Sequence, residues 1–230
     1  MAKTREELQA KALRVHQRLL AYYGEPTPKE RYDPLSELVL TILSQNTADV
    51  NTSRAYSSLR EHFPQWEDVL AARTEDVAEA IRTGGLAHTK APRIQGILRQ
   101  LRAERGGLTL DFLDQMEIEE ARRYLRSLAG VGPKTAACVL LFSLRKPALP
   151  VDTHVLRVTR RVGLVPERCT AEKAHILLEG LLPPETYYPF HLNVIHHGRM
   201  LCKAANPRCR ICPLAEDCDD AIVHSGRMTG

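Results

Sequence analysis

Cys202, Cys209, Cys212 and Cys218 stand in the spacing C-x6-C-x2-C-x5-C, which puts four thiols within seventeen residues. Four sulfurs this close in sequence can satisfy a tetrahedral zinc or an iron–sulfur cluster, and a loop that carries them would be folded mainly by its metal. Two local disulfides in a secreted domain are the alternative. The N-terminal stretch MAKTREELQAKALRVHQRLL argues against it: its charges are spread as in an amphipathic helix, without the basic-then-apolar order of a leader. Cys138 and Cys169 lie far from the four and from each other, so buried or idle thiols are expected there.

A second group of reactive types surrounds the run Leu128-Ala129-Gly130-Val131-Gly132-Pro133-Lys134. Two glycines one residue apart allow a tight hairpin, and Pro133 suits the first turn of a following helix. The amides of Gly130, Val131 and Gly132 are then expected to form an anion site at that helix start, with a nucleic-acid phosphate as the natural occupant. Lys134 adds an amine, and Asp152 in Pro150-Val151-Asp152-Thr153-His154 adds a carboxylate. A neutral amine can attack carbon, while a carboxylate can stabilise developing positive charge and assist proton transfer. The plain alternatives are a solvated helical lysine and an N-cap aspartate. The cap is compatible with catalysis.

The elements that must carry these residues all read as helices. Thr4 with Glu7 forms a capping box, and Leu8, Ala12, Val15 and Leu19 follow at helical spacing until Gly24. Asp33 is expected to cap a helix opening at Pro34. Further helices are predicted over 49–62, 67–72, 75–83, 90–104, 117–128, 133–144, 153–162, 171–182 and 185–201. Strand alternation is sustained nowhere, so the chain reads as all-α. Its 230 residues, 43% hydrophobic and 26% charged, suffice for a buried core without disulfides, and no apolar run is long enough for a membrane. The net charge is only +4, but Arg199, Lys203, Arg208 and Arg210 crowd the cysteines, and Arg157, Arg160 and Arg161 sit together upstream. Local positive potential of this kind suits a polyanion.

With these residues in view, the chain resembles the endonuclease III family of base-excision DNA glycosylases, from Ser44-Gln45-Asn46-Thr47-Ala48-Asp49 to the last cysteine. Leu128 to Ala136 resembles the family's helix-hairpin-helix, Val151-Asp152-Thr153-His154 its Gly/Pro-Asp segment, and the four cysteines its cluster loop. The resemblance implies a [4Fe–4S] cluster, Lys134 as nucleophile and Asp152 as the essential aspartate. It also implies that Lys203, Arg208 and Arg210 contact DNA. Leu86 matches a leucine wedge that fills the gap left by a flipped nucleotide. Gln45 and Asn46 adjoin at the position of the family's gap-filling glutamine, and the register that aligns Asp49 puts Asn46 there. The implied architecture is two helical domains flanking a DNA cleft, with residues 28–146 as the hairpin domain and residues 1–27 with 147–230 as the cluster domain.

The expected function is therefore a bifunctional glycosylase and AP lyase acting on oxidised pyrimidines. The expected partner is double-stranded DNA containing damaged bases or abasic sites, and the protein is expected to be a cytoplasmic monomer. A monofunctional glycosylase of the same superfamily, or a DNA-binding or redox-sensing protein without catalysis, are the alternatives.

Overall fold

A computed structural model describes residues 3–28 and 31–221. The chain separates into two compact units, one formed by Met1–Lys29 with Pro147–Gly230 and the other by Glu30–Lys146. Among the described residues there are helices and turns and no strand.

The hairpin unit is built on α2 (Pro34–Leu43). Asp33 starts it by accepting from the amides of Leu35 and Ser36 at 3.0 and 2.9 Å, with Pro34 in the first turn, where a missing N–H leaves nothing unsatisfied. Leu35, Leu38, Val39, Ile42 and Leu43 are all buried, so this helix is apolar on nearly every side and forms the centre of the unit. Around it pack α3 (Asp49–His62), α6 (Ala87–Arg105) and α8 (Pro133–Cys138). The short α4 (Trp66–Ala71) and α5 (Thr74–Ala80) cover α6, and α7 (Ile118–Ser127) leads into the hairpin.

The helix expected over 133–144 changes pitch part-way. It is α-helical to Cys138 and widens to a π-turn over Val139–Ser143, closed by Leu144 N–H to Val139 O at 3.3 Å. Side chains and carbonyls at its end are drawn sideways: Ser143 O accepts from Arg31, and Ser143 Oγ donates to Tyr32 O at 2.9 Å. The helices expected over 75–83 and 185–201 likewise contain 3-10 turns, Arg82–Gly84 after α5 and Pro184–Thr186 before α11.

The cluster unit joins α1 (Arg5–Tyr23), α9 (Thr153–Val162), α10 (Ala171–Glu179) and α11 (Tyr187–Met200). The capping box at Thr4 is complete, with the Glu7 amide 3.2 Å from Thr4 Oγ1 and the Thr4 amide 2.7 Å from Glu7 Oε2. Ala12, Val15 and Leu19 bury one stripe of α1, and α11 is its main neighbour. The stripe of α1 beside this one is basic and, with Lys3 ahead of the helix, grips the end of the cysteine segment. Lys3 and Lys11 meet Asp219 at 2.7 Å each, Arg14 meets Asp217 at 3.2 Å, and Arg18 meets Glu216 and Asp217. The Lys3–Asp219 and Arg18–Glu216 pairs are exposed and contribute about 0–1 kcal/mol each, whereas the Lys11 ammonium and the Asp217 carboxylate are largely buried. Together with buried Leu214 these pairs give the segment contacts besides any metal.

Candidate active site

In the hairpin unit, Gly130 has φ +76°, a value that strongly favours glycine. A Cβ there would also collide with the Arg93 side chain, which lies across the turn. The Val131 amide donates to Leu128 O at 3.1 Å, so it closes the hairpin and does not face outward. This corrects the expectation of three free amides; Gly130 and Gly132 remain on the exposed side. Pro133 opens α8, and Lys134 is the next residue, half-buried. Among the described residues Lys134 Nζ has no hydrogen-bond or ion-pair partner.

The residues facing the hairpin come from the loop after α2. Gln45 is held on both sides: Arg93 Nη1 donates to its Oε1 at 2.9 Å, and its Nε2 lies 3.5 Å from Thr135 Oγ1. Asn46 is exposed and left-handed, φ +54°. Leu86, at the start of α6, is also left-handed, φ +52°, and 57% exposed, so it is not a core leucine. A concavity of about 380 Å³ near Arg31, Asp111 and Asp114 lies at the other end of α2 from Gln45 and includes none of these residues.

In the cluster unit, Asp152 caps α9, with Oδ1 accepting from the Val155 amide at 2.7 Å. The backbone entering it is fixed by buried side chains. Leu149 O and Pro150 O lie 2.8 Å from Nδ1 of His175 and His191, and the Leu149 amide donates to Glu179 at 2.8 Å. Each of these groups would otherwise be an unsatisfied buried backbone dipole. Sequence reasoning missed both histidines, since a lone histidine carries no spacing signal.

Cys202, Cys209, Cys212 and Cys218 line one pocket together with His197, Leu201 and Leu214. Among the described residues no three His, Cys, Asp or Glu side chains are grouped as a single ion requires. Burial, reinforced by the other three cysteines, pushes the Cys212 thiol up to about 11, so as a free thiol it is protonated near pH 7. Two nitrogens are aimed at these sulfurs: Arg161 Nη1 lies 3.4 Å from Cys202 Sγ, and His197 Nε2 3.5 Å from Cys212 Sγ. Tyr23 Oη is 3.0 Å from His197 Nδ1. Burial, with His196 adding to it, pushes His197 down to about 4, so the ring is neutral near pH 7 and can donate from Nε2.

The upstream arginines are engaged by backbone carbonyls. Arg157 donates to Cys202 O at 3.1 Å and Gly198 O at 2.9 Å, Arg160 to Cys169 O, and Arg161 to Lys203 O at 2.7 Å and Ala204 O at 3.0 Å. A guanidinium supplies five donors in a rigid fork, and here the forks tie α9 to backbone carbonyls, most of them in the cysteine segment. Lys203, Arg208 and Arg210 differ: all three are exposed, and among the described residues their side chains have no partner. Cys138 and Cys169 are buried, as expected.

The family model described as HhH-GPD superfamily base excision DNA repair protein matches residues 39–184, and endonuclease III of Thermotoga maritima is 37% identical over 84% of this chain and 86% of its own length. The chain belongs to the endonuclease III family of the HhH-GPD superfamily. An Arabidopsis thaliana protein provisionally named a DNA glycosylase is 39% identical, over 80% of this chain and 66% of its own length. Among solved structures, a trapped covalent intermediate of endonuclease III with DNA superposes with a TM-score of 0.80 at 26% identity, covering 97% of this chain and all of that one. As an endonuclease III family member the protein is a DNA glycosylase of base excision repair.

Proposed function

We propose that the protein is a bifunctional DNA glycosylase and AP lyase, acting as a monomer on oxidised pyrimidines in duplex DNA. The observation that carries the reading is Lys134: an amine in the first turn after a glycine hairpin, half-buried and without a partner among the described residues. Lys90, the one fully buried lysine among the described residues of the hairpin unit, donates to three acceptors and has no lone pair to offer. Lys134 Nζ attacks C1′ of the damaged nucleotide as the glycosidic bond breaks and the base departs with a proton. Opening of the C1′–O4′ bond, with a proton delivered to O4′, then gives the iminium, which makes a C2′ proton acidic, and removal of that proton expels the 3′ phosphate by β-elimination. Asp152 offers a carboxylate to the positive charge that develops on the sugar and to the proton transfers. Oxidised pyrimidines are the substrate class implied by the resemblance to endonuclease III.

Flipping the nucleotide leaves a gap in the stack. Leu86 is the wedge in this reading, and Asn46 faces the orphan base, because the Gln45 amide is already held by Arg93 and Thr135. Strand cleavage on duplexes carrying single oxidised pyrimidines, a mispaired thymine or an abasic site tests the assignment. Excision and nicking confined to the oxidised pyrimidine and abasic substrates support it; excision of any base without nicking favours a monofunctional enzyme.

Cys202, Cys209, Cys212 and Cys218 would hold a [4Fe–4S] cluster, which when bound would stabilise the loop carrying Lys203, Arg208 and Arg210. Purified protein should be yellow-brown with about four irons per chain. Colourless protein with stoichiometric zinc would contradict this. Cys212→Ser should lower soluble yield more than it lowers excision per folded molecule.

The three exposed cations are the proposed phosphate contacts of the cluster loop. Each phosphate neutralised should contribute a slope of roughly 0.9 in log K against log salt. Arg208→Glu and Lys203→Glu should each flatten the salt dependence of binding to abasic-site DNA, whereas Arg157→Met should lower thermal stability and leave the slope unchanged. Wild-type slopes in both reversal variants would remove the loop from the DNA surface.

A further inference from the structure

Lys90 is 2% exposed, yet its ammonium has no carboxylate beside it. Its three protons go to Leu43 O at 2.7 Å, Gly84 O at 2.8 Å and Thr47 Oγ1 at 3.0 Å. Leu43 is the last residue of α2 and Gly84 the last of the Arg82–Gly84 turn, so one cation sits at two helix ends whose carbonyls lack intrahelical donors. Thr47 Oγ1 completes the knot through Gly84 O and, at 3.1 Å, Gln45 O. Burial lowers the Lys90 pKa, with Arg93 adding to the effect. A methionine would fill the same volume without burying a charge, so filling the core does not explain a lysine here.

The two loops joined by this ammonium hold Asn46 and Leu86, two of the few non-glycine residues with positive φ among those described, and both exposed. L-residues disfavour that conformation, and it persists only where the surroundings impose it. We propose that Lys90 is the positioning residue of the strand-entering wedge: by tying Leu43, Thr47 and Gly84 together it holds Asn46 and Leu86 at the spacing needed to open the duplex. This rests on the reading above, in which those two residues occupy the gap left by the flipped nucleotide. The chemistry at Lys134 is not assigned to Lys90.

Lys90→Met, Thr47→Val and an Asn46→Ala/Leu86→Ala double variant are to be compared on a duplex carrying one oxidised pyrimidine beside 2-aminopurine, whose fluorescence reports unstacking. Borohydride trapping on single-stranded abasic DNA, where no base needs to be flipped, isolates the chemistry. In Lys90→Met, duplex excision should fall about tenfold to a hundredfold, as expected for misplacement of a positioned group by an ångström or less. The fluorescence rise should weaken in parallel while single-strand trapping stays at the wild-type level. Adding Lys90→Met to the double variant should cost nothing further, because both act on one step. If Lys90→Met does not fold, Thr47→Val, with the same pattern at smaller amplitude, decides the matter. Unchanged flipping in a folded variant, equal losses in excision and trapping, or additive losses with the double variant would overturn the role of Lys90. A wild type that traps nothing, or a double variant that excises normally, would instead overturn the reading on which it rests.

Discussion

Lys134→Gln will bind abasic-site DNA and form no covalent complex with it when borohydride is added. The wild-type Schiff base is reducible, and reduction fixes the enzyme to C1′ of the opened sugar. Glutamine has no nucleophilic amine, so both base excision through the lysine and strand nicking should fall to background. Folding should be little affected: Lys134 has no partner among the described residues, and such positions tolerate substitution within about 0.5 kcal/mol, a shift of about 1–2 °C in a protein this size. Binding should also persist, since the proposed phosphate contacts come from Lys203, Arg208, Arg210 and the hairpin backbone. Undiminished trapping in this variant would move the nucleophile to another amine.

The second large effect is expected at Asp152, where two roles coincide and two substitutions separate them. Asp152→Asn keeps an oxygen for the Val155 amide, and asparagine caps helices about as well as aspartate, so stability should be nearly unchanged. The negative charge is lost, and with it a transition-state contribution of about 3 kcal/mol, which is about a hundredfold or more in excision rate. Asp152→Ala removes the cap as well and should lower the melting temperature by about 2–4 °C for a cap contribution of about 1 kcal/mol. If Asp152→Asn retained wild-type excision, the residue would be a cap and nothing more.

The helices were legible wherever their start signals were local. Thr4 with Glu7, and Asp33 with Pro34, mark α1 and α2 because a cap and its amides lie within three residues. The cysteine spacing and the glycine hairpin are legible for the same reason. What the sequence could not convey is where long side chains end. Lys90 carries no motif or spacing signal, and its burial depends on a carbonyl forty-seven residues away. Arg157 and Arg161 read as part of a phosphate-binding cluster, but their partners are carbonyls more than forty residues along the chain. Arg93 over Gly130 and the paired histidines behind Asp152 arise in the same way, from contacts distant in sequence. Gln45 and Asn46 adjoin in the sequence, and what distinguishes them is again a distant contact: Gln45 is tied to Arg93, while Asn46 is left exposed.

The most direct test of the central claim is to find the atom that bonds to DNA. Wild-type protein trapped with borohydride on abasic-site DNA, digested with nuclease and trypsin and analysed by mass spectrometry, should carry its sugar remnant on Lys134. A remnant on the N-terminal amine or on another lysine, or no adduct from protein that still excises bases, would contradict the account.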